Sequence, residues 1–268
     1  MKNVFIMALL TFREALSKKI FLVFFLISTF VIILFALFTF SGSAVNFHAS
    51  FTVRGNLNTD NPIVGGIKLF LIYPLYAGGM FLSIFSVVGF IPSLLEKGNI
   101  DLLLSKPISR GQIIWGKFLG GTAMVFANVF YAVFMLYLLI GFKFDEWGLS
   151  FILVAFTITL AFAAIYSVII LLGILWENST FSLIVSYLIF FVFSPLLGSL
   201  QNMQEANLKN VVLTLLYYIV PQTSDISSIT TKLVLGNYNF GIAPLVVSSL
   251  YIIILINISI YIFNKKDY

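Results

Sequence analysis

The sequence predicts an all-α transmembrane fold, one domain over residues 1–268 built as a bundle of six membrane-spanning helices. Three observations predict it. Mean hydropathy is +1.08, and 60% of the 268 residues are hydrophobic while 9% are charged; soluble chains carry about a quarter charged residues, so charges this sparse cannot cover a water-soluble core. The apolar residues also gather in runs near the ~20 residues that an α-helix needs to cross a bilayer. Finally, the basic residues divide unevenly between alternate connecting segments, as they do in membrane proteins with a fixed orientation.

The spans fall at 20–40, 67–91, 118–141, 151–175, 181–200 and 242–263. Between them lie Ser41–Gly66, Pro92–Lys117, Phe142–Ser150, Trp176–Thr180 and Gln201–Gly241. The run Ile20–Phe40 exceeds the roughly 7–15-residue core of a cleaved signal peptide and reads as a span. With a cytosolic N-terminus, the inside holds ten basic residues, Lys2, Arg13, Lys18, Lys19, Lys97, Lys106, Arg110, Lys117, Lys265 and Lys266. The outside then holds five, Arg54, Lys68, Lys143, Lys209 and Lys232. Both termini are therefore expected in the cytosol, in a multi-pass protein of the inner (cytoplasmic) membrane.

Two apolar segments are not spans. Residues 1–19 place Val4, Phe5, Ala8, Leu9, Phe12, Ala15 and Leu16 at helical spacing opposite Asn3, Arg13 and Lys18, the pattern of an amphipathic helix lying on the membrane surface. A cytosolic extension of the first span is the alternative. Asn207–Val220 is apolar but only about 14 residues long before Pro221, too short to cross, and reads as an external interfacial or re-entrant helix. Gly116 and Gly120 form a small-xxx-small pair that lets helices approach closely; packing within the chain, a dimer seam and a substrate path all fit it. The same holds for Gly78, Gly79, Ser83, Ser86, Thr122, Asn128, Thr157 and Thr159.

Several chemistries lack their residues. No G-x-x-x-x-G-K-[ST] segment occurs, so the chain is not expected to bind ATP through a P-loop. It has no cysteine and a single histidine, His48, which offers no metal-ligand set. The spans carry no facing carboxylates of the kind a proton-coupled carrier or an intramembrane protease needs. Scattered basic residues, despite the net charge of +5, do not form a nucleic-acid patch. No enzymatic activity, cofactor or metal is expected in this chain.

The segment 92–117 carries the most specific pattern. Gly98 permits a sharp turn and Asn99 can cap a short helix. Asp101 in its first turn and Lys106 near its end suit the helix dipole, and Pro107 stops it. Ser109 and Gln112 then form a capping-box pattern that opens the next helix. Ile100, Leu102, Leu103 and Leu104 cover more than one face of the short helix. Docking into a partner's groove accounts for them, as does packing beneath the bundle.

The run Glu96-Lys97-Gly98-Asn99-Ile100-Asp101-Leu102-Leu103-Leu104-Ser105-Lys106-Pro107-Ile108-Ser109-Arg110, followed by Gly116-Lys117, resembles the first cytosolic loop of ABC type-2 permeases, most closely the NosY-like branch. Thr11-Phe12-Arg13-Glu14-Ala15 resembles that branch's elbow helix. The resemblance implies a homodimer, or a pair with a related permease, carrying two copies of a separate ATPase subunit that binds the ATP and Mg. Glu96, Gly98, Asn99, Ile100, Asp101, Leu102, Leu103, Leu104, Ser105, Pro107 and Arg110 would form the ATPase-coupling helix and its flanks. Thr11, Phe12, Arg13 and Glu14 would belong to an elbow helix lying against membrane lipids.

Two functions follow from the resemblance. One is an exporter permease driven by the partner's ATP hydrolysis. The other transports nothing, and instead moves an extracytoplasmic accessory protein held by Ser41–Gly66 and Gln201–Gly241. Copper-site maturation, known in the NosY-like branch, would place the metal in a partner, because this chain lacks copper ligands. A stand-alone carrier or channel is disfavoured by the absence of ionisable coupling groups in the spans.

Overall fold

The computed structural model describes residues 2–17, 20–40, 62–96, 98, 108–204 and 216–266. The described residues are helical, without strands. In order they form α1 (Lys2–Ser17), α2 (Ile20–Phe40), α3 (Pro62–Val87), α4 (Phe90–Leu95), α5 (Arg110–Phe144) and α6 (Ser150–Trp176). There follow α7 (Ser179–Leu188), a π-turn (Ile189–Phe193), α8 (Ser194–Gln204), α9 (Thr223–Val234) and α10 (Ala243–Lys265).

Among the described residues, five stretches are long and apolar enough to cross a membrane: Val64–Leu95, Arg110–Phe144, Ser150–Trp176, Ser179–Leu200 and Ala243–Lys265. Helix α2 adds a shorter apolar stretch, Leu22–Leu37. Helix α6 is the centre of the bundle, apolar on every side and packed against α3, α4, α5, α7, α9 and α10. Its most apolar window is 78% buried, against 22% for α10. A helix that is hydrophobic all round has no solvent face to present and belongs in the middle. Ala155, Ala161 and Ala164 on α6 are fully buried, and such small residues let neighbouring backbones come close.

The connections are shorter than the sequence reading has them. Helix α3 begins at Pro62, inside the predicted segment Ser41–Gly66, and α5 begins at Arg110, eight positions before the predicted Phe118. For α5 the reason is that polar residues at its start are capped rather than looped out: Ser109 and Gln112 close the predicted capping box, with Gln112 N donating to Ser109 Oγ at 3.3 Å and Ser109 N donating to Gln112 Oε1 at 3.2 Å. Most of the predicted helix Asn207–Val220 lies outside the described residues, which show a helical turn at 216–219. Beyond Pro221 stands α9, where the sequence reading expects a loop. Its Ile226, Ile229, Thr230, Leu233 and Val234 are buried, against α6 and α3, and Tyr76 of α3 donates to Thr223 O at 2.8 Å. Asp225 in its first turn accepts from Tyr217, and burial pushes its carboxyl above the usual range.

Polar contacts place the charged groups at the two ends of the bundle. Lys68 of α3 reaches Glu146, just past α5, at 2.8 Å. At the opposite end of α5, which at 35 residues is about 50 Å long, lie Glu14, Arg110, Lys117, Glu177 and Lys266.

Candidate functional site

Residues Asn99, Ile100, Asp101, Leu102, Leu103, Leu104, Ser105 and Pro107, together with His48, lie outside the described residues. The chain on either side of 99–107 is described, and both sides are anchored. On the leading side, α4 is tucked under the bundle with Phe90, Ile91, Leu94 and Leu95 buried. Ile91 approaches Gly173 of α6 so closely that a Cβ on that glycine would stand 3.0 Å from the Ile91 Cβ. Glu96 then turns extended and exposed, and Gly98 has φ +95°. That left-handed backbone is the turn expected of Gly98, open to glycine at no steric cost.

On the trailing side, Arg110 is the first residue of α5. One of its terminal nitrogens donates to Phe263 O and Lys266 O at 2.7 Å each, and lies 3.5 Å from Asn264 O. The guanidinium also sits 5.4 Å from the Phe263 ring centre. These carbonyls belong to the last turn of α10 and the residue beyond it. The last carbonyls of a helix have no partner within it, and a cation there also meets the negative end of the helix dipole. The sequence reading has Arg110 as a flank of the coupling helix; in the structure it is half-buried and clasps α10. Gln112 joins a further element, accepting from Asn3 Nδ2 of α1 at 3.3 Å.

Helix α1 lies along α5 on a glycine seam. A Cβ on Gly116 would fall 2.3 Å from Met7 Cβ, and one on Gly120 would fall 2.6 Å from Ala8 O. The small-xxx-small pair therefore serves packing within the chain. Glu14 accepts from Lys117 Nζ at 2.6 Å, and Lys117 lies 5.7 Å from the Phe90 ring centre. Thr11 is buried and donates to Met7 O at 2.9 Å; Phe12 packs on the core while Arg13 is exposed. The inward face of α1 thus runs through Met7, Thr11 and Ala15, all buried. Phe5, Leu9 and Leu16 of the predicted apolar face are exposed. The helix has two apolar faces, one for α5 and one outward; the first runs through Met7, Thr11 and Ala15, of which the face drawn from sequence includes Ala15 and omits Met7 and Thr11.

The last component is the α6–α7 turn. Glu177 has φ +52° and its N–H donates to Gly173 O, ending α6. Asn178 accepts from Thr180 N at 2.9 Å and Phe181 N at 3.2 Å, opening α7. Lys266 spans the gap to this turn, donating to Ile174 O and to Glu177 Oε1 at 2.6 Å each.

The family profile of the ABC-2 family transporter protein matches residues 5–268. The chain belongs to that family. It is thus the permease component of an ABC transporter, a membrane subunit and not the ATPase, and the family works with an ABC ATPase partner. No curated protein matches the chain. In this permease both described flanks of the segment 96–110 are anchored: α4 is buried on the leading side and Arg110 fastens the trailing side.

Arg110→Ala is expected to loosen the end of α10. Charge-assisted hydrogen bonds contribute about 1.5–3 kcal/mol each when buried; half-exposure brings the combined loss to roughly 1–2 kcal/mol. The variant should reach the membrane but unfold several degrees earlier in detergent, and Arg110→Lys should recover only part, since the shorter ammonium side chain gives up the guanidinium's stacking on the Phe263 ring. An unchanged melting temperature for Arg110→Ala would contradict the clasp.

Proposed function

We propose that this ABC-2 permease is the membrane half of an ATP-driven exporter of the NosY-like branch, with six spans including α2 and both termini in the cytosol of an inner-membrane protein. Two copies of the chain would form a homodimer, each carrying one ATPase subunit. Helix α1 would be the elbow helix, its outward Phe5, Leu9 and Leu16 facing lipid. Residues Asn99 to Pro107 would form the coupling helix, with Leu102 and Leu103 entering the ATPase groove and Glu96, Gly98 and Arg110 holding its flanks.

The observation that supports this reading best is the pair of anchored stems. A loop that must transmit force to the spans requires rigid attachment at both sides. Phe90–Leu95 and Arg110–Lys117 supply it through Gly173, Lys117, Glu14 and the α10 carbonyls. The nucleotide chemistry would reside wholly in the partner, which binds ATP and Mg.

The test is biochemical. The purified chain should show no nucleotide hydrolysis, and adding its ATPase should give a stable complex whose hydrolysis is altered by the permease. Hydrolysis by the isolated chain, persisting after a P-loop contaminant has been excluded by mass spectrometry, would refute the assignment.

A further inference from the structure

Lys266 stands where two of these attachments meet. Its backbone carbonyl is held by Arg110 at 2.7 Å, while its own ammonium holds Ile174 O and Glu177 at 2.6 Å each. One residue is therefore gripped by the start of α5 and grips the end of α6. Its backbone is extended, with φ −79° and ψ 131°, which turns the side chain away from the α10 axis toward α6.

We infer that Arg110, Lys266 and Glu177 form a relay that carries displacement of the 99–107 loop to the α6–α7 turn. This rests on the coupling role proposed for that loop. The first link is short because Arg110 opens α5 directly after Ser109, so the guanidinium moves with the loop's trailing side. The second link is the segment Phe263–Lys266, held at three carbonyls. The third is the Lys266–Glu177 pair. Glu177 and Asn178 are the whole connection between α6 and α7, and two residues extend at most about 7 Å. Movement of Glu177 must therefore pass to Asn178 and to the first turn of α7, which Asn178 caps.

Two further features fit a moving element. Glu177 is a non-glycine residue in left-handed backbone, a conformation that persists only when its surroundings hold it, and Lys266 is one such hold. Helix α7 also runs into the π-turn Ile189–Phe193, an irregularity frequent at functional sites in helices.

The experiment uses the full chain with its ATPase in proteoliposomes. The chain has no native cysteine, so Thr180→Cys, on the exposed first turn of α7, can carry a polarity-sensitive thiol dye. In this background the dye emission should change on adding ATP and Mg. Lys266→Met should keep membrane abundance and ATPase retention while reducing the ATP-driven change about tenfold, within the range for coupling between sites. Lys266→Arg should restore it, and Glu177→Gln should lower it in the same direction. If Lys266→Met accumulates poorly, Glu177→Gln carries the comparison alone. A purely structural role predicts reduced abundance with an unchanged dye response per complex, and that result would overturn the relay while leaving the exporter reading intact. If the parent chain neither retains an ATPase nor responds to ATP, the coupling role fails and the relay fails with it.

Discussion

Gly120→Leu is expected to strip α1 from the bundle and to reduce the amount of permease in the membrane severalfold. The new Cβ would lie 2.6 Å from Ala8 O and 2.7 Å from Thr11 Cβ. Neither is the far end of a flexible side chain, so α1 as a whole must move away. Overpacking of this kind costs about 1–3 kcal/mol. Separation also removes Glu14 from Lys117, whose side chain is only 8% exposed. Leaving a buried charge without its partner costs about 3 kcal/mol, the low end for such pairs because Glu14 keeps part of its hydration. The sum, roughly 4–6 kcal/mol, is comparable with the whole stability of a small domain. A cysteine at Thr11, buried in the docked helix, reports the displacement: it should resist a thiol reagent in the parent chain and react in the Gly120→Leu background. Gly78→Leu is the control, since a Cβ there meets nothing within 4 Å. A Thr11 cysteine that stays shielded beside Leu at position 120 would show that α1 is not seated on the glycine seam.

The glycine seam also shows what the sequence makes legible and what it conceals. A small-xxx-small pair announces a close helix contact but not the partner, because glycine offers the same flat surface to any helix. Here the partner is α1, whose contact face, Met7, Thr11 and Ala15, contains a threonine and is flanked by the equally apolar Phe5 and Leu9. Hydrophobic periodicity selects the most apolar stripe, and on α1 that stripe is divided: Phe12 and Ala15 turn inward while Phe5, Leu9 and Leu16 face outward. Helix α9 was hidden for a related reason. Its buried Ile226, Ile229, Thr230, Leu233 and Val234 do follow helical spacing, but Thr, Ser, Asp and Lys between them keep the segment below the hydropathy of a span. The span runs, by contrast, are visible because burial in lipid demands nearly continuous apolar residues. The capping box at Ser109 and Gln112 and the turn at Gly98 were also visible, since each depends on local chemistry alone.

Arg110 and Lys117 mark the limit of such local reading. A basic residue next to a span reports membrane orientation from sequence, and nothing in its neighbours reveals that Arg110 meets α10 at Phe263, 153 positions away. The same is true of Lys117 and Glu14, 103 positions apart. Long basic side chains reach carbonyls and carboxylates that only the assembled bundle brings together. The stems of the 99–107 loop are therefore stabilised by contacts invisible in sequence, although the loop's own pattern is the clearest in the chain.

Those anchored stems determine what a change in the loop itself should do. Leu102→Glu with Leu103→Glu is expected to abolish retention of the ATPase while leaving the permease in the membrane at normal levels. Each leucine entering an apolar groove would contribute about 1.5–3 kcal/mol, so the pair forfeits roughly 3–6 kcal/mol, a loss of binding by more than a hundredfold. Two carboxylates directed at that groove add a desolvation penalty in the same direction. The helices should be unaffected, because α4 is held by Gly173 and the start of α5 by the α10 carbonyls and Asn3, none of which involves position 102 or 103. The alternative places the leucines beneath the bundle. There, however, Ile91, Leu94, Leu95, Ile113 and Ile114 are already buried against the core, so that surface is well supplied with apolar side chains from the stems. Packing beneath the bundle predicts a loss of protein from the membrane, with any surviving permease still carrying its ATPase. Quantifying membrane abundance and co-purified ATPase in the same preparation separates the two, and normal ATPase retention and stimulation in the double variant would refute the docking of this loop.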